Sequence, residues 1–198
     1  KKNINGNCLL VPYASDLYCT WIDFCPNDFR ALKHVEQYKI LYENLHEKIK
    51  KQFKIKLDIS KGLNEEKYIR RFIEDNKFLK DHNLFSAFGK SKIIICTYPE
   101  TTFIEALATD IPTILIYPEK YWIFDNNILE LIDKLIDAKI IFHNPKEASI
   151  HLNNIWDNPM LWWESDKVKN ILSETFDKIG NPFNINWIVE WKKELGKI

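Results

Sequence analysis

Five short apolar runs alternate along the chain with longer segments that have helical spacing. The runs occupy residues 8–11, 54–59, 92–96, 112–117 and 139–142. Strands of a parallel sheet are covered by helices on both faces, so they read as continuous hydrophobic runs. The pattern predicts an α/β fold, with a Rossmann-like parallel sheet of about five to six strands and flanking helices.

Apolar residues at intervals of three and four predict the helices between these runs. Beyond the last run the chain is predicted to be a helical tail over residues 145–198. With 5 glycines among 198 residues and no repeat or low-complexity tract, the sequence predicts a single domain over residues 1–198. The predicted helices span residues 27–53, 63–78, 83–88 and 102–109, a segment after Asp125, and residues 145–156, 165–179 and 186–195.

Composition limits the classes of partner. Lysine and arginine number 28 and aspartate and glutamate number 28, so no overall positive field exists to attract nucleic acid. The four cysteines form no CxxC pair and have no histidine at metal-ligand spacing, which predicts no metal site and fits a reducing cytoplasm. No stretch approaches the roughly 20 apolar residues of a membrane span. The chain begins at Lys1 without methionine, so we expect it to be a piece of a longer protein.

The segment "TYPETTFIEALATDIPTIL", residues 97–115, contains the main candidate site. Thr101 and Thr102 fall where the third strand gives way to a helix. The free amides and the dipole of a helix N-terminus favour an anion, and a threonine hydroxyl can add a hydrogen bond to a phosphate oxygen. Threonine is also a favoured helix cap. Because two adjacent threonines exceed the need of one cap, the pattern favours phosphate binding.

Glu105 follows Thr102 by three residues, and two roles are open to it. It closes a capping box with Thr102, or it accepts hydrogen bonds from the hydroxyls of a ribose. Spacing alone favours the capping box.

Other polar and aromatic residues are predicted at the same edge of the sheet, where each strand ends. The cleft in this fold lies outside the carboxyl ends of the strands. An ordinary loop or packing role is an equal alternative for each of them. Tyr13 and Ser15 follow the first strand, Lys61 the second, Tyr98 and Glu100 the third, and Tyr121 the fourth.

Two further groups of residues receive structural interpretations. Trp156, Trp162 and Trp163 are predicted to pack in the core, whereas Trp187 and Trp191, four residues apart, mark one face of the last helix. The lysines between residues 48 and 56 are interpreted as a solvated helix end, with a peripheral position at the inner face of the cytoplasmic membrane as the alternative.

The segment "TTFIEALATDIPTIL" resembles the nucleotide-binding segment in the C-terminal half of glycosyltransferases with the two-domain GT-B fold. Together with "IIFHNPKEASIHLNNIWDNPMLWW" and "NINWIVEWKKEL", it resembles more narrowly a family of transferases encoded with bacterial surface-carbohydrate genes for O-antigen or capsule. The threonine loop is also similar to the "DYSS" loop of glycerophosphate-transferring polymerases, from which Pro99 and Glu100 depart.

The resemblance implies a donor-binding C-terminal domain whose N-terminal acceptor domain is missing from the chain. Its expected substrates are a nucleotide-activated sugar and a carbohydrate or lipid-linked acceptor, with no cofactor or metal. Thr101 and Thr102 would hold the donor phosphate, and Glu105 would approach the ribose or sugar. The Glu-x7-Glu pattern of retaining enzymes is absent, since Glu100 and Glu105 are five apart. A cytidine-nucleotide-dependent glycerophosphate transferase and a non-catalytic Rossmann-like module remain the alternatives.

Overall fold

The computed structural model describes residues 5–13, 28–57, 65–80, 83–179 and 187–196. Within them, five strands form one parallel sheet in the order β2-β1-β3-β4-β5. The predicted α/β class and the parallel sheet are therefore confirmed. The second strand ends earlier than predicted, at Ile55. The strands are β1 (Asn7–Val11), β2 (Phe53–Ile55), β3 (Ser91–Cys96), β4 (Thr113–Ile116) and β5 (Ile141–Phe142).

Helices cover both faces of this sheet. Successive side chains of a strand point to opposite faces of the sheet. Leu10 of β1 therefore packs in the core under one helical layer, and its neighbour Leu9 packs in the core under the other. The described helices are α1 (Asp28–Glu43), α2 (Glu47–Gln52), α3 (Glu65–Ile69), α4 (Leu84–Gly89), α5 (Thr101–Ala108), α6 (Asn126–Asp137), α7 (Pro145–Ile155), α8 (Pro159–Trp163), α9 (Asp166–Ile179) and α10 (Trp187–Leu195).

The two layers share the helices unequally. Buried residues of α1, α2, α3 and α7 belong to the core on the first face, and those of α4, α5, α6, α8 and α9 belong to the core on the second. The strand order explains why α4, α5 and α6 pack on the same face. From β1 the chain moves to the edge strand β2, then returns past β1 to β3 and continues outward to β4 and β5. The direction of winding therefore reverses between β1 and β3.

The single helix predicted over residues 27–53 is two helices, α1 and α2. Asn44 ends α1, with its side-chain amide donating to the carbonyl of Ile40 over 2.7 Å. Asn153 of α7 then fixes the break: its Oδ1 accepts from the amide of His46 (2.8 Å), and its Nδ2 donates to the carbonyl of Asn44 (2.9 Å). Side-chain bonds to the backbone replace the helical bonds at this point.

The helix predicted over residues 63–78 is also shorter. Among the described residues of this segment, α3 ends at Ile69 and a 3₁₀ turn follows at Asp75–Lys77. Phe78 then forms a parallel bridge with Ile55, and the amide of Leu79 donates to the carbonyl of Ile55 over 2.8 Å. The apolar residues near the end of the segment thus pair with the edge of β2 instead of extending a helix.

The described part of the C-terminal segment is mostly helical, as predicted, and its residues before 180 pack on both faces of the sheet. Trp156, after α7, is buried in the first core, and Trp163, in α8, is buried in the second. The indole of Trp163 donates to Oδ1 of Asp110 over 3.1 Å. Asp110 follows α5 with φ of 56°, so this bond holds the left-handed turn that leads into β4.

Candidate functional site

The point where the winding reverses lies between the carboxyl ends of β1 and β3. Val11 pairs with Cys96 in the sheet register, so the residues that follow these strands leave the sheet side by side. Open α/β sheets bind ligands in the crevice at such a reversal. Three sequence-predicted site residues, Tyr13, Tyr98 and Thr102, are connected here by the contacts described below.

A hydrogen-bond network around Thr97 fixes this crevice. Thr97 is buried, and its Oγ1 accepts from the amide of Tyr13 (2.7 Å) and lies 3.0 Å from the hydroxyl of Tyr38. The amide of Tyr13 also donates to the Tyr38 hydroxyl over 3.0 Å, and Thr97 Oγ1 lies 3.2 Å from the carbonyl of Val11. The exits of β1 and β3 are thereby joined to each other and to α1.

Aromatic rings extend the network towards α5. Tyr13 meets Tyr98 edge to face, with 5.4 Å between the ring centroids, and it stacks on His34 at 5.2 Å. The hydroxyl of Tyr98 lies 2.7 Å from Oγ1 of Thr102. A continuous set of contacts therefore runs from α1, across the exits of both strands, to the first turn of α5.

Thr101 and Thr102 occupy the first two positions of α5, and Glu100 is the N-cap residue. The first intrahelical bond runs from the amide of Phe103 to the carbonyl of Glu100, over 3.0 Å. Neither threonine caps the helix, so the capping alternative and the capping box between Thr102 and Glu105 are wrong. Within the described chain no side chain caps α5. The Thr101 side chain is exposed and Thr102 is half-buried.

Glu105 lies one turn into α5, close to the end of β3. Burial raises the pKa of the Cys96 thiol, and the Glu105 carboxylate raises it further. Cys96 is the last residue of β3, and its thiol lies 4.0 Å from the carbonyl of Thr102. The Glu105 carboxylate is therefore close enough to the end of β3 to act on Cys96, and its proposed contact with a ribose stays a prediction.

The remaining predicted site residues are not connected to this crevice by the described contacts. Ser15 and Lys61 lie outside the described residues. Tyr121 ends a 3₁₀ turn after β4, one strand away from the reversal, and its side chain is also outside the described part.

Lys56 corrects the interpretation of the basic run as a solvated helix end. It follows β2 directly and is only 7% exposed. Its ammonium group donates to the carbonyl of Leu57 over 2.9 Å. A buried cation therefore stands at the carboxyl edge of β2, the strand next to β1. The apolar run over residues 54–59 predicted Lys56 within the second strand, so its position after the end of that strand is seen only in the structure.

Sequence reasoning missed three residues of the crevice: His34, Tyr38 and Thr97. Tyr38 and His34 are four apart on α1, and helical spacing by itself marks such residues only as buried. Thr97 carried a usable signal, because it is the first polar residue after a continuous apolar strand. Burial lowers the pKa of His34 to about 4, so this imidazole is neutral at pH 7.

A second aromatic cluster lies at the ends of β4 and β5. Tyr117 contacts Trp122, Phe124 and His143, with ring centroids 6.4, 5.9 and 4.7 Å apart. Nδ1 of His143 lies 3.2 Å from the carbonyl of Tyr117. The buried indole nitrogen of Trp122 has no hydrogen-bond partner within the described residues. The ring contacts show that these aromatics pack on one another.

The described residues contain no group of three or more histidine, cysteine, aspartate or glutamate side chains placed to hold a metal ion. Nor does any helix in those ranges have the length and apolar composition needed to cross a membrane.

A family model described as LIC12162 family transferase matches residues 1–195. The chain belongs to this family. The prediction that the chain is part of a transferase is thereby confirmed at the level of the family.

Among solved structures, the chain is similar to the wall teichoic acid polymerase TagF. The two share 15% sequence identity with a TM-score of 0.47, over 98% of this chain and 44% of that one. The chain thus spans less than half the length of that polymerase. A search of curated protein sequences found no match.

Proposed function

We propose that the chain is the donor-binding domain of a glycosyltransferase, which binds a nucleotide-activated sugar in the crevice between β1 and β3. One observation carries the proposal: in a member of a transferase family, the uncapped first turn of α5 opens at the reversal of the sheet. A helix N-terminus at that place is a site for phosphate. The acceptor would be a carbohydrate or lipid-linked group, and the product a bacterial surface polysaccharide made on the cytoplasmic side.

The proposed mechanism is positioning with charge stabilisation. The bond between the transferred group and the donor phosphate breaks, a bond to the acceptor oxygen forms, and the acceptor proton passes to a base. Negative charge then develops on the departing nucleotide. The first-turn amides of α5 and the hydroxyl of Thr101 would stabilise that charge, as preorganised dipoles do elsewhere. Glu105 would bind the ribose or sugar, and the base would come from a further domain that contributes the acceptor site.

The proposal is tested by a thermal-shift panel of cytidine, uridine, guanosine and adenosine mono- and diphosphates. We expect selective stabilisation by one base, because a ligand that binds only the folded state raises its melting temperature. The Thr101→Ala/Thr102→Ala variant should lose this shift. Thr109→Ala is the matched control. Thr109 follows α5, about 12 Å along the helix axis from Thr101, and its hydroxyl donates to the carbonyl of Ala106.

Hydrogen exchange then locates the nucleotide. The amides of residues 101–105 should be protected when it binds, while those of α9 should be unchanged. Selection of cytidine alone would favour transfer of a glycerophosphate-type unit over transfer of a sugar. If no nucleotide shifts either this chain or the full-length protein that contains it, the non-catalytic module is the correct interpretation.

A further inference from the structure

One ring nitrogen of the buried His34 side chain makes no hydrogen bond to the described residues. His34 is 3% exposed, and its Nδ1 atom is buried without a hydrogen-bond partner in the described part of the chain. Buried polar side chains in folded proteins are hydrogen-bonded in the large majority of cases. An unpartnered imidazole nitrogen therefore calls for a hydrogen-bond partner that the described residues do not supply.

The position of His34 relates this unpartnered nitrogen to the candidate site. Tyr38, four residues later on α1, bonds Thr97 at the level where β3 ends. Because α1 returns from the carboxyl edge of the sheet, His34 lies about 6 Å farther out along the helix axis, beyond the strand ends. Its ring stacks on Tyr13, with an interplanar angle of 18°, and Tyr13 contacts Tyr98 at the approach to α5.

The surroundings of His34 favour a neutral ligand group over an anion. The rings of Tyr13 and Tyr38 are its described aromatic neighbours, and desolvation alone accounts for its lowered pKa. The first turn of α5, on the opposite side of the reversal, is the place for phosphate. A rotation of the imidazole by 180° about χ2 keeps the ring stacked on Tyr13 and moves Nδ1 to the opposite edge of the ring.

We propose that His34 is a ligand-contacting residue that hydrogen-bonds a hydroxyl group of the bound donor. This inference rests on the proposed function. It adds a ligand contact made by α1 to the phosphate contacts proposed for α5. The hydroxyl belongs either to the ribose of the nucleotide or to the sugar that the nucleotide carries. A neutral imidazole suits both, since one nitrogen donates and the other accepts.

The test measures affinity by calorimetry for two probes: the nucleoside diphosphate selected by the thermal-shift panel, and the same nucleotide carrying glucose. His34→Phe keeps a ring for the stack on Tyr13 and removes the hydrogen bond. We expect it to weaken binding by about tenfold, the usual effect of one lost hydrogen bond to a ligand. His34→Gln, which restores a donor and an acceptor, should recover part of the affinity.

His151→Phe is the matched control. His151 also has a buried, unpartnered nitrogen, Nε2, but its ring packs on Phe142 and on Trp162, whose indole bonds the carbonyl of Ala138 on the amino-terminal side of β5. Its substitution should leave both affinities unchanged. The thermal unfolding of each unliganded variant shows whether it is folded before binding is compared.

The outcomes separate the two proposals. Weaker binding of both probes to His34→Phe assigns the hydroxyl to the ribose, and weaker binding of the sugar-bearing probe alone assigns it to the sugar. If folded His34→Phe binds both probes as the wild type does, the inference is wrong while the proposed function stands. If the wild type of the full-length protein binds neither probe, the proposed function fails and the inference falls with it.

Discussion

At the scale of single residues, Thr97 holds the exits of β1 and β3 together. Its hydroxyl lies within 3.2 Å of three groups: the amide of Tyr13, the hydroxyl of Tyr38 and the carbonyl of Val11. Thr97→Val keeps the side-chain shape but removes all three contacts. We expect it to lower the free energy of unfolding by about 2 kcal/mol, because buried polar groups lose a partner.

Urea unfolding checks this prediction against Thr113→Val. Thr113 is equally buried, but its hydroxyl donates to a single nearby carbonyl, that of Ile111, over 2.8 Å. The Thr113 substitution should therefore cost about 1 kcal/mol or less. Equal losses in the two variants would show that the network adds nothing beyond one local bond.

The two histidines with orphaned nitrogens predict how stability depends on pH. Burial lowers the pKa of His34 from 6.5 to about 4; for His151, burial and then Lys139 lower the pKa to about 4. Because the pKa is lowered in the folded state, the unfolded chain binds the proton at a higher pH than the folded chain does. The stabilisation is therefore complete above pH 6.5 and is lost as the pH falls towards 4, with a slope of at most about 1.4 kcal/mol per pH unit for each histidine.

Urea unfolding between about pH 7 and pH 5 measures this loss, since that window lies on the falling part of the curve. The His34→Phe/His151→Phe variant keeps all carboxylates of the wild type. The difference between the two proteins in how the free energy of unfolding changes with pH is therefore the contribution of the two histidines. The variant should lose less stability than the wild type on acidification. Parallel curves would contradict the lowered pKa values.

At the scale of elements, the strands were more predictable than the helices. The central strands β3 and β4 are buried on both faces, so their apolar runs marked them clearly in the sequence. The breaks in the helices depend on distant partners. Asn153 contacts Asn44 and His46 from more than 100 positions away, and no local pattern shows that pairing. The pairing of Phe78 with Ile55 is likewise a tertiary contact.

The break between α1 and α2 gives an element-scale prediction. Asn153→Asp keeps an acceptor for the amide of His46 but places a carboxylate against the carbonyl of Asn44, which loses its donor. We expect a loss of about 1–2 kcal/mol in the free energy of unfolding, measured in urea.

Lys48→Met is the comparison for that variant. Lys48 and Asp157 join the same region of the molecule, with Nζ 2.8 and 2.7 Å from the two carboxylate oxygens, but both side chains are exposed. Exposed ion pairs contribute little, so this substitution should cost less than about 1 kcal/mol. A larger loss for Lys48→Met than for Asn153→Asp would contradict the assignment of the break to Asn153.

At the scale of the whole molecule, the sequence predicted only that the candidate site lies at the carboxyl ends of the strands. Parallel strands bring their carboxyl ends to one edge, and this rule alone predicts that Tyr13, Tyr98 and Thr102 lie at the same edge of the sheet. The strand order decides which exits are neighbours, and no local pattern gives that order. The positions of His34 and Tyr38 at the crevice follow from the packing of α1 against the sheet, so they are seen only in the folded chain.

The whole-molecule prediction concerns α10. Its described side chains Val189, Trp191 and Leu195 are each more than half exposed, and the described buried residues of both cores lie before residue 180. A fragment of residues 1–179 should therefore unfold cooperatively in urea, with a free energy within about 1 kcal/mol of that of the whole chain, because it keeps every described buried residue of both cores.

A fragment of residues 1–158 is the control for this truncation. It lacks α8 and α9, whose residues Trp163, Val168 and Leu172 are buried against the second face of the sheet. The burial of each of these side chains contributes about 1.5–3 kcal/mol, and their buried neighbours contribute further. The total loss exceeds the free energy of unfolding of a typical domain, so this fragment should not fold. If residues 1–179 also fail to fold, α10 is part of the core that supports the candidate site; if they fold, its exposed apolar face is free for another domain.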